Sequence, residues 1–477
     1  MSEPRVIVLG GGPAGVGAAR ELVRRTGASV VLLEARDHVG GNAGSFEACG
    51  QFLDYGSHRL HPACDPRILG DLRELLGGEL LYRERHGRIR LLGRWIHFPL
   101  KPLDLMLRLP PRFALGTLSD MLRRRAPPDA AEPDTFASVL QANLGSTICE
   151  HFYFPYAVKI WGYPPELLSG IQARRRVAAG TFAKLARKVL GMAPGLKKPG
   201  AGRFFYPRRG YGQISEALAD AARAGGADLR LGWRVVGLQR PSREGDPWHV
   251  TAERVGNSGE RGTFEADQVW STLPISLLAQ AIDPPPPREV LEAAAAIDYR
   301  SMILIYLELP VTQFTPYDAH YFPGSDTRIT RFSEPKNYSG TDRPAGTTVL
   351  CAELACSPKD ASWSMADAEL GQLVLEDLER AGLPVPAPPR SVFTRRLRQA
   401  YPIYLEGYQV PFGVLDRWVS ELPNLVSFGR QGLFTHDNTH HALYMAYSAV
   451  DCLRDGRFDK AAWEEHREVF ATHVVED

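Results

Sequence analysis

Residues 5–9 open on Arg5 and continue as an unbroken run of β-branched and aliphatic side chains that stops at Gly10. A run without polar alternation marks a strand covered on both faces. The spacing then turns helical, with Val16, Ala19 and Leu22 or Val23 on one side of residues 14–25. A second buried-type run, residues 29–33, ends in Glu34. Strand, glycine turn, helix and strand in this order predict a βαβ unit. Downstream, residues 96–203 read as a helical insertion, interrupted by the charged, proline-containing stretch 123–134. Residues 227–240 and 248–274 read as strands of a small sheet, and 301–309 and 347–356 as strands of a second domain. Helices are expected at 365–382 and 438–454, with a charged peripheral helix after Asp459. The division is discontinuous: 1–95, 204–275 and 421–477 form a nucleotide-binding domain, while 96–203 and 276–420 form a mixed helical and strand-rich substrate domain.

Composition narrows the classes. With 477 residues the chain is too long for one core. Hydrophobic content of 44% and charged content of 23% are those of a soluble globular protein. The net charge of +1 gives no electrostatic case for nucleic acid. Six cysteines without a CxxC pair argue against structural zinc and against a disulfide scaffold, so no metal is expected. No apolar run is long enough for a spanning helix, and no leader is evident. The expectation is a cytoplasmic enzyme with a small-molecule substrate, no nucleic-acid partner and no stable membrane insertion, its oligomeric state left open.

Gly10, Gly12 and Gly15 spell G-x-G-x-x-G, with Pro13 and Ala14 between the last two. Gly10 permits the tight turn, Gly12 a close approach to pyrophosphate, and Gly15 close packing of helix on strand. The helix start offers free N–H groups and the positive dipole end. Glu34 stands about 20 residues on, where an acid accepts from ribose hydroxyls. It is followed by Ala35, Arg36 and then Gly40, Gly41 and Asn42. This "E…GG" continuation resembles FAD enzymes of the flavin-containing amine oxidase superfamily, which includes protoporphyrinogen oxidases, phytoene desaturases and UDP-galactopyranose mutases. The resemblance implies a Rossmann-type, glutathione reductase-like α/β fold, with the second glycine pair passing close to the flavin arm.

Further stretches resemble the mutase-like branch. "LDYGSHRLHP" (53–62) is similar to a "YG-x-H-x-x-H" segment, which implies that Gly56, Ser57 and His58 lie at the flavin ring. An imidazole there donates to a flavin carbonyl or shuttles a proton, or else only supports its loop. "HFYFPYAVKIWGYPPELL" (151–168) resembles the segment that implies Lys159 at the polar rim and Trp161 under the substrate. Core packing is the equal alternative for Trp161. "FFYPRRGYGQI" (204–214) implies Tyr206 and Arg209 as substrate contacts, although Arg208 and Arg209 are equally readable as solvated. Val235 and Val236 match the backbone site for adenine, and Thr272 lies in the strand and turn that close over FAD. "SFGRQGLFTHDNTHHALYMAYSAVD" (427–451) resembles the C-terminal flavin motif. It implies Gly429 and Arg430 at the pyrophosphate, and a helix start at Asn438 and Thr439 aimed at flavin N1. Tyr401 and His436 complete the substrate set.

The resemblance implies an FAD-dependent oxidoreductase that oxidises a small biosynthetic metabolite, a sugar or sugar nucleotide among the candidates, by hydride transfer to flavin N5. His58, Arg209 and Trp161 are the catalytic expectations. The alternative is a non-redox sugar-nucleotide mutase using reduced FAD as nucleophile. Phe434 and His436 stand where that branch would use aromatic hydroxyls, which favours the oxidoreductase. A flavoprotein with a binding role only is the third class. Residues 180–203, basic and amphipathic with a Gly-Pro-rich end, read as a solvated helix or a lid.

Overall fold

The computed structural model describes residues 4–101, 104, 107–122, 133–176, 202–256 and 259–475. At its centre lies a five-stranded parallel sheet built from β1 (Arg5–Leu9), β2 (Ser29–Glu34), β3 (Asp228–Leu231), β4 (Gln268–Ser271) and β5 (Leu425–Ser427). The spatial order is β5-β4-β1-β2-β3. This is a doubly wound arrangement with β1 in the middle, so ligands belong at the carboxyl ends of β1 and its neighbours. Residues 228–231, read above as part of the small sheet, are the edge strand of this one. Their exposed–intermediate alternation is that of an edge strand rather than a covered one.

Three helices pack together beside this sheet: α1 (Pro13–Arg25), α2 (Gln213–Ala224) and α3 (Thr439–Asp451). α1 is buried almost all round from Ala14 to Leu22 because α2 and α3 both lie against it. A Cβ on Gly17 would sit 2.9 Å from Leu443 Cδ2, so the α1–α3 approach depends on that glycine. Gly17 was not singled out in the sequence.

A four-stranded sheet (Arg261–Ala266, Trp248–Arg254, Trp233–Gln239, Ile282–Asp283) stands beside this domain. The second large layer is a seven-stranded mixed sheet whose long strands are Ser391–Ile403, Asp298–Leu309 and Thr348–Cys356. Its far edge is the hairpin Gly87–Leu91 and Arg94–Phe98, joined through parallel pairing of Gly87–Leu91 with Ala319–Tyr321. The boundary drawn at residue 95 therefore cuts a hairpin that belongs to the substrate-side sheet. The insertion is helical where described, with helices Pro111–Leu122, Phe136–Leu144, Phe154–Trp161 and Gly170–Arg176.

Among the described residues, no helix is long and apolar enough to cross a membrane. The C-terminal helix Lys460–Ala471 is more than peripheral, because Trp463 and Phe470 enter the core.

One core histidine has a measurable consequence. His320 is fully buried, stacked on Phe332 with ring centroids 4.2 Å apart, and neither ring nitrogen has a hydrogen-bond partner among the described residues. Burial, with the Arg88 charge second, holds it well below the usual imidazole range. It is neutral in the fold and takes up a proton on unfolding near about pH 6.5. Its contribution is present above that value and is lost as pH falls below it. His320→Phe is expected to show a smaller loss of Tm between about pH 7 and pH 5 than the wild type, followed by thermal unfolding.

Candidate active site

The nucleotide end is built by backbone contacts. Gly10 has φ +99°, and a Cβ on Gly15 would lie 1.9 Å from the Gly10 carbonyl oxygen. The Gly11 N–H donates to Glu34 Oε2 at 2.6 Å, and the Arg36 N–H to Glu34 Oε1 at 2.8 Å. The carboxylate is thereby fixed at the end of β2, with lone pairs left for ribose hydroxyls. Gly40 N–H donates to Gly11 O at 2.8 Å, and a Cβ on Gly41 would meet Gly12 Cα at 3.2 Å. The two glycine pairs thus lie against each other and leave a groove walled by backbone. Arg36 donates to Gly41 O at 2.7 Å and lies over the Tyr55 ring, which holds Ala35 and the following turn in place.

The C-terminal motif closes the same groove. A Cβ on Gly429, which has φ +78°, would lie 3.0 Å from Ala14 Cβ and 3.7 Å from Thr272 Cβ. Thr272 Oγ1 donates to Leu9 O at the end of β1. Asn42 Nδ2 and Gln431 Nε2 both donate to Gln399 O, at 3.0 and 2.8 Å. That shared acceptor brings together the second glycine pair, the C-terminal motif and the strand Ser391–Ile403. α3 starts at Thr439 behind a capping box from Asn438 and His441. Val235 and Val236 sit at a β-bulge, where the ladder with Trp248–Arg254 skips and leaves Val236 without a ladder partner. A freed backbone amide and carbonyl are what an adenine edge needs.

The substrate side is framed by charge. Arg430 carries no ion pair among the described residues, its Nε is buried without a partner, and its guanidinium lies 4.7 Å from the Tyr401 ring centroid. Burial pulls its pKa down. Arg176 lies 5.1 Å from the Trp161 ring and 5.2 Å from the same Tyr401 ring, again with a buried, unpartnered Nε. Tyr401 thus contacts two guanidinium groups, and Arg175 Nη1 is also buried without a hydrogen-bond partner among the described residues. Trp161 and Tyr401 meet edge to face at 5.7 Å. His436 is fully buried against Trp161 and Tyr404, and neither of its ring nitrogens has a hydrogen-bond partner among the described residues. Burial first, then Arg176, Arg430 and Arg175, hold it neutral, far below the usual range. Each of these three guanidinium groups thus keeps one buried nitrogen without a hydrogen-bond partner among the described residues, and burying an unpaired donor is costly.

His58 lies at the other wall, stacked on Tyr211 at 5.3 Å with Nε2 3.0 Å from Tyr55 O. Burial lowers its pKa to about 4, with Arg331 and Arg430 adding to the effect. Its loop is pinned by Glu353, whose Oε1 accepts from the Ser57 N–H at 2.9 Å and from Arg331 Nε at 3.0 Å. Gly56 has φ +95°, and a Cβ there would come 3.3 Å from the same Oε1.

Three sequence expectations are corrected by this geometry. Lys159 points away from the pocket: Nζ donates to Phe322 O, Thr327 Oγ1 and Ile329 O at 2.7–3.2 Å, tying the insertion to the large sheet. Burial lowers its pKa to about 8. Lys159→Met is expected to cost about 1.5–3 kcal/mol of stability, read by denaturant melts, and to leave anion affinity unchanged. Tyr206 is buried and donates to Asp54 Oδ2 at 2.7 Å, a core role. Asp54 also accepts from Ser45 and the Tyr211 N–H, yet burial still raises its pKa to about 6. Arg209 is exposed on the outside of its turn, near Glu216, and takes no place in the pocket. The residues that sequence reasoning missed are Arg175, Arg176, Arg331 and Glu353. The suggested lid falls largely on 177–201, outside the described residues.

The sequence profile of flavin containing amine oxidoreductases matches residues 13–440. The chain belongs to that family. Spinach (Spinacia oleracea) chloroplastic protoporphyrinogen oxidase 1 is 23% identical over 96% of this chain and 83% of its own length. Putrescine oxidase of Kocuria rosea is 45% identical, but over 18% of this chain and 17% of its own length. A solved structure of reduced UDP-galactopyranose mutase superposes with a TM-score of 0.81 at 20% identity, covering 99% of this chain and 100% of that one. At that identity the likeness establishes the fold. This member of the amine oxidoreductase family is accordingly a flavin-dependent enzyme with FAD as cofactor. The two abutting glycine pairs, the fixed Glu34 carboxylate and the unpaired Arg430 guanidinium fit an adenosine diphosphate arm along the groove.

Proposed function

We propose that this enzyme oxidises a small anionic metabolite, with sugar nucleotides and sugar phosphates as the leading class. The observation that carries the reading is the set of guanidinium groups of Arg175, Arg176 and Arg430, each with a buried nitrogen that has no hydrogen-bond partner among the described residues, around Tyr401, Trp161 and neutral His436. A diamine or polyamine would need carboxylates at this place, and arginines would repel it. Arg176 and Arg175 hold the phosphate or carboxylate, with Arg430 shared toward the cofactor pyrophosphate. The Trp161 indole and the Tyr401 ring give a flat wall suited to a sugar face. His436, with one donor and one acceptor nitrogen and no partner among the described residues, can accept a hydrogen bond from a substrate hydroxyl and orient it. His58, neutral and donating Nε2–H to Tyr55 O, keeps Nδ1 as an acceptor for the cofactor side. FAD, when bound, supplies the two-electron acceptor for a hydride.

A second reading, non-redox sugar-nucleotide rearrangement, draws support from the fold likeness to the mutase. Against it, position 434 is a buried phenylalanine with no hydroxyl of its own, and its carbonyl accepts from Tyr404 OH at 2.7 Å. The test is oxygen uptake or dye reduction with sugar nucleotides, sugar phosphates, carboxylates and diamines side by side. Anions are expected to turn over and diamines to be inert. In Arg176→Met, KM is expected to rise about 10–100-fold with kcat largely kept, the equivalent of about 1.5–3 kcal/mol for a hydrogen bond to a charged group. Turnover of diamines with the anions inert contradicts the proposal.

A further inference from the structure

Arg175 and Arg176 lie in the short helix Gly170–Arg176. The backbone carbonyl of Arg175 is claimed by the last described residues of the chain. The Val475 N–H donates to Arg175 O at 2.8 Å. In return, Arg175 Nη2 donates to Ala471 O at 3.4 Å. Between these contacts His473 stacks on His441, with centroids 4.1 Å apart and planes 14° from parallel. Tyr444 and Phe470 close the slot around the His473 ring. His473 Nδ1 lies 3.5 Å from Asp437 Oδ1. Asp437 is buried, follows His436 directly, and accepts from Thr435 Oγ1 through its other oxygen.

The residues following the last helix therefore touch both walls of the pocket. One contact reaches the arginine-bearing helix. The other reaches the loop that carries His436 and leads into α3. The base of the tail is firm: Trp463 and Phe470 are in the core, Arg467 pairs with Asp416 at 2.6 Å, and Lys460 donates to Ser420 O at 2.7 Å. Asp437, His441 and His473 also bring one ligand atom each within 4.8 Å of one another. His441 Nδ1, however, already accepts from the Asn438 N–H at the start of α3, and a metal there would have to displace that cap. The cluster is better built as a clasp than as a cation site.

We propose that residues 473–475 are a positioning element for the anion-binding wall, with His473 as the residue that locks the tail between Asp437 and His441 so that Val475 can hold Arg175 and Arg176 in place. This inference rests on the anion reading above for its catalytic meaning, and its structural part is measured separately. His473 touches neither substrate nor cofactor. It acts through Arg175 and Arg176.

The test uses the full-length holoenzyme, the His473→Ala variant and a chain ending at Thr472. Thr472 caps the last helix and leaves Trp463 and Phe470 in the core, and His473→Ala keeps the backbone entire should the shorter chain fail to fold. Two readouts are taken: hydrogen exchange of amides 171–176, and calorimetric affinity for inorganic pyrophosphate. Exchange in 171–176 is expected to quicken at least tenfold in both variants, while FAD content stays at the wild-type level. Pyrophosphate affinity is expected to fall about tenfold, with His473→Phe, which keeps the stack, recovering part of it. Unchanged exchange across 171–176 overturns the proposal, as does quickened exchange with unchanged pyrophosphate affinity. Wild-type protein that ignores pyrophosphate overturns the anion reading and, with it, the catalytic meaning of the tail, whatever the exchange shows.

Discussion

Gly15→Ala is expected to give a colourless, strongly destabilised protein. The added Cβ would lie 1.9 Å from the Gly10 carbonyl oxygen, a backbone atom that β1 and the Gly10–Leu33 hydrogen bond hold in place. Relief would require moving α1 off the sheet, and α1 is the helix against which α2 and α3 both pack. A loss of about 4 kcal/mol or more is therefore expected, in the exceptional range for a single substitution. Gly12→Ala is the informative contrast. Its Cβ would meet only Gly41 Cα at 4.0 Å, an ordinary contact. That variant should fold with a near-normal Tm as apoprotein, yet bind FAD weakly, because the methyl group fills the groove the pyrophosphate needs. Visible absorbance per chain and apoprotein melting temperature separate the two cases.

Glu353→Ala is the second large effect. Glu353 is 4% exposed and holds Arg331 through Nε and Nη2 at 3.0 and 2.8 Å, as well as the Ser57 N–H. Removing it strands a buried guanidinium, at an expected cost of about 3–5 kcal/mol. It also frees the loop that carries His58, so kcat should collapse in whatever fraction remains folded. Glu353→Leu combined with Arg331→Leu is expected to recover much of the stability, since apolar pairs often replace buried ion pairs without loss. It should not recover activity, because the Ser57 N–H still lacks its acceptor. Denaturant melts and kcat on the same preparations check both halves.

The nucleotide end was legible because its determinants are local. Gly10, Gly12, Gly15 and Glu34 lie within one βαβ unit, and each serves the backbone geometry of that unit. The substrate end was legible only in part. Trp161, Tyr401, His436 and Arg430 come together in space, although they are scattered over the chain. Lys159 and Tyr206 carry suitable chemistry in suitable motifs, but their partners, the Phe322 carbonyl and the Asp54 carboxylate, are remote in sequence and turn them inward. Arg209 belongs to a glycine-flanked turn that resembles the family motif, yet its side chain is exposed. The triple arginine at 174–176, directly after the aromatic segment, was the available signal. Arg331 and Glu353 sit on paired strands, Arg331–Ser333 and Thr348–Cys356, and only that register makes them partners. The boundary at 95 failed for a similar reason: the hairpin Gly87–Phe98 finds its sheet through Ala319–Tyr321, far along the chain.

The central claim, a flavin site that oxidises an anionic substrate, is tested most directly by anaerobic mixing of the oxidised holoenzyme with sugar nucleotides and sugar phosphates, UDP-galactopyranose among them, without any added reductant. The account predicts that one of these anions bleaches the visible flavin band stoichiometrically and that air restores it. Turnover of a sugar nucleotide only after dithionite reduction, with no net change in flavin redox state, would contradict it.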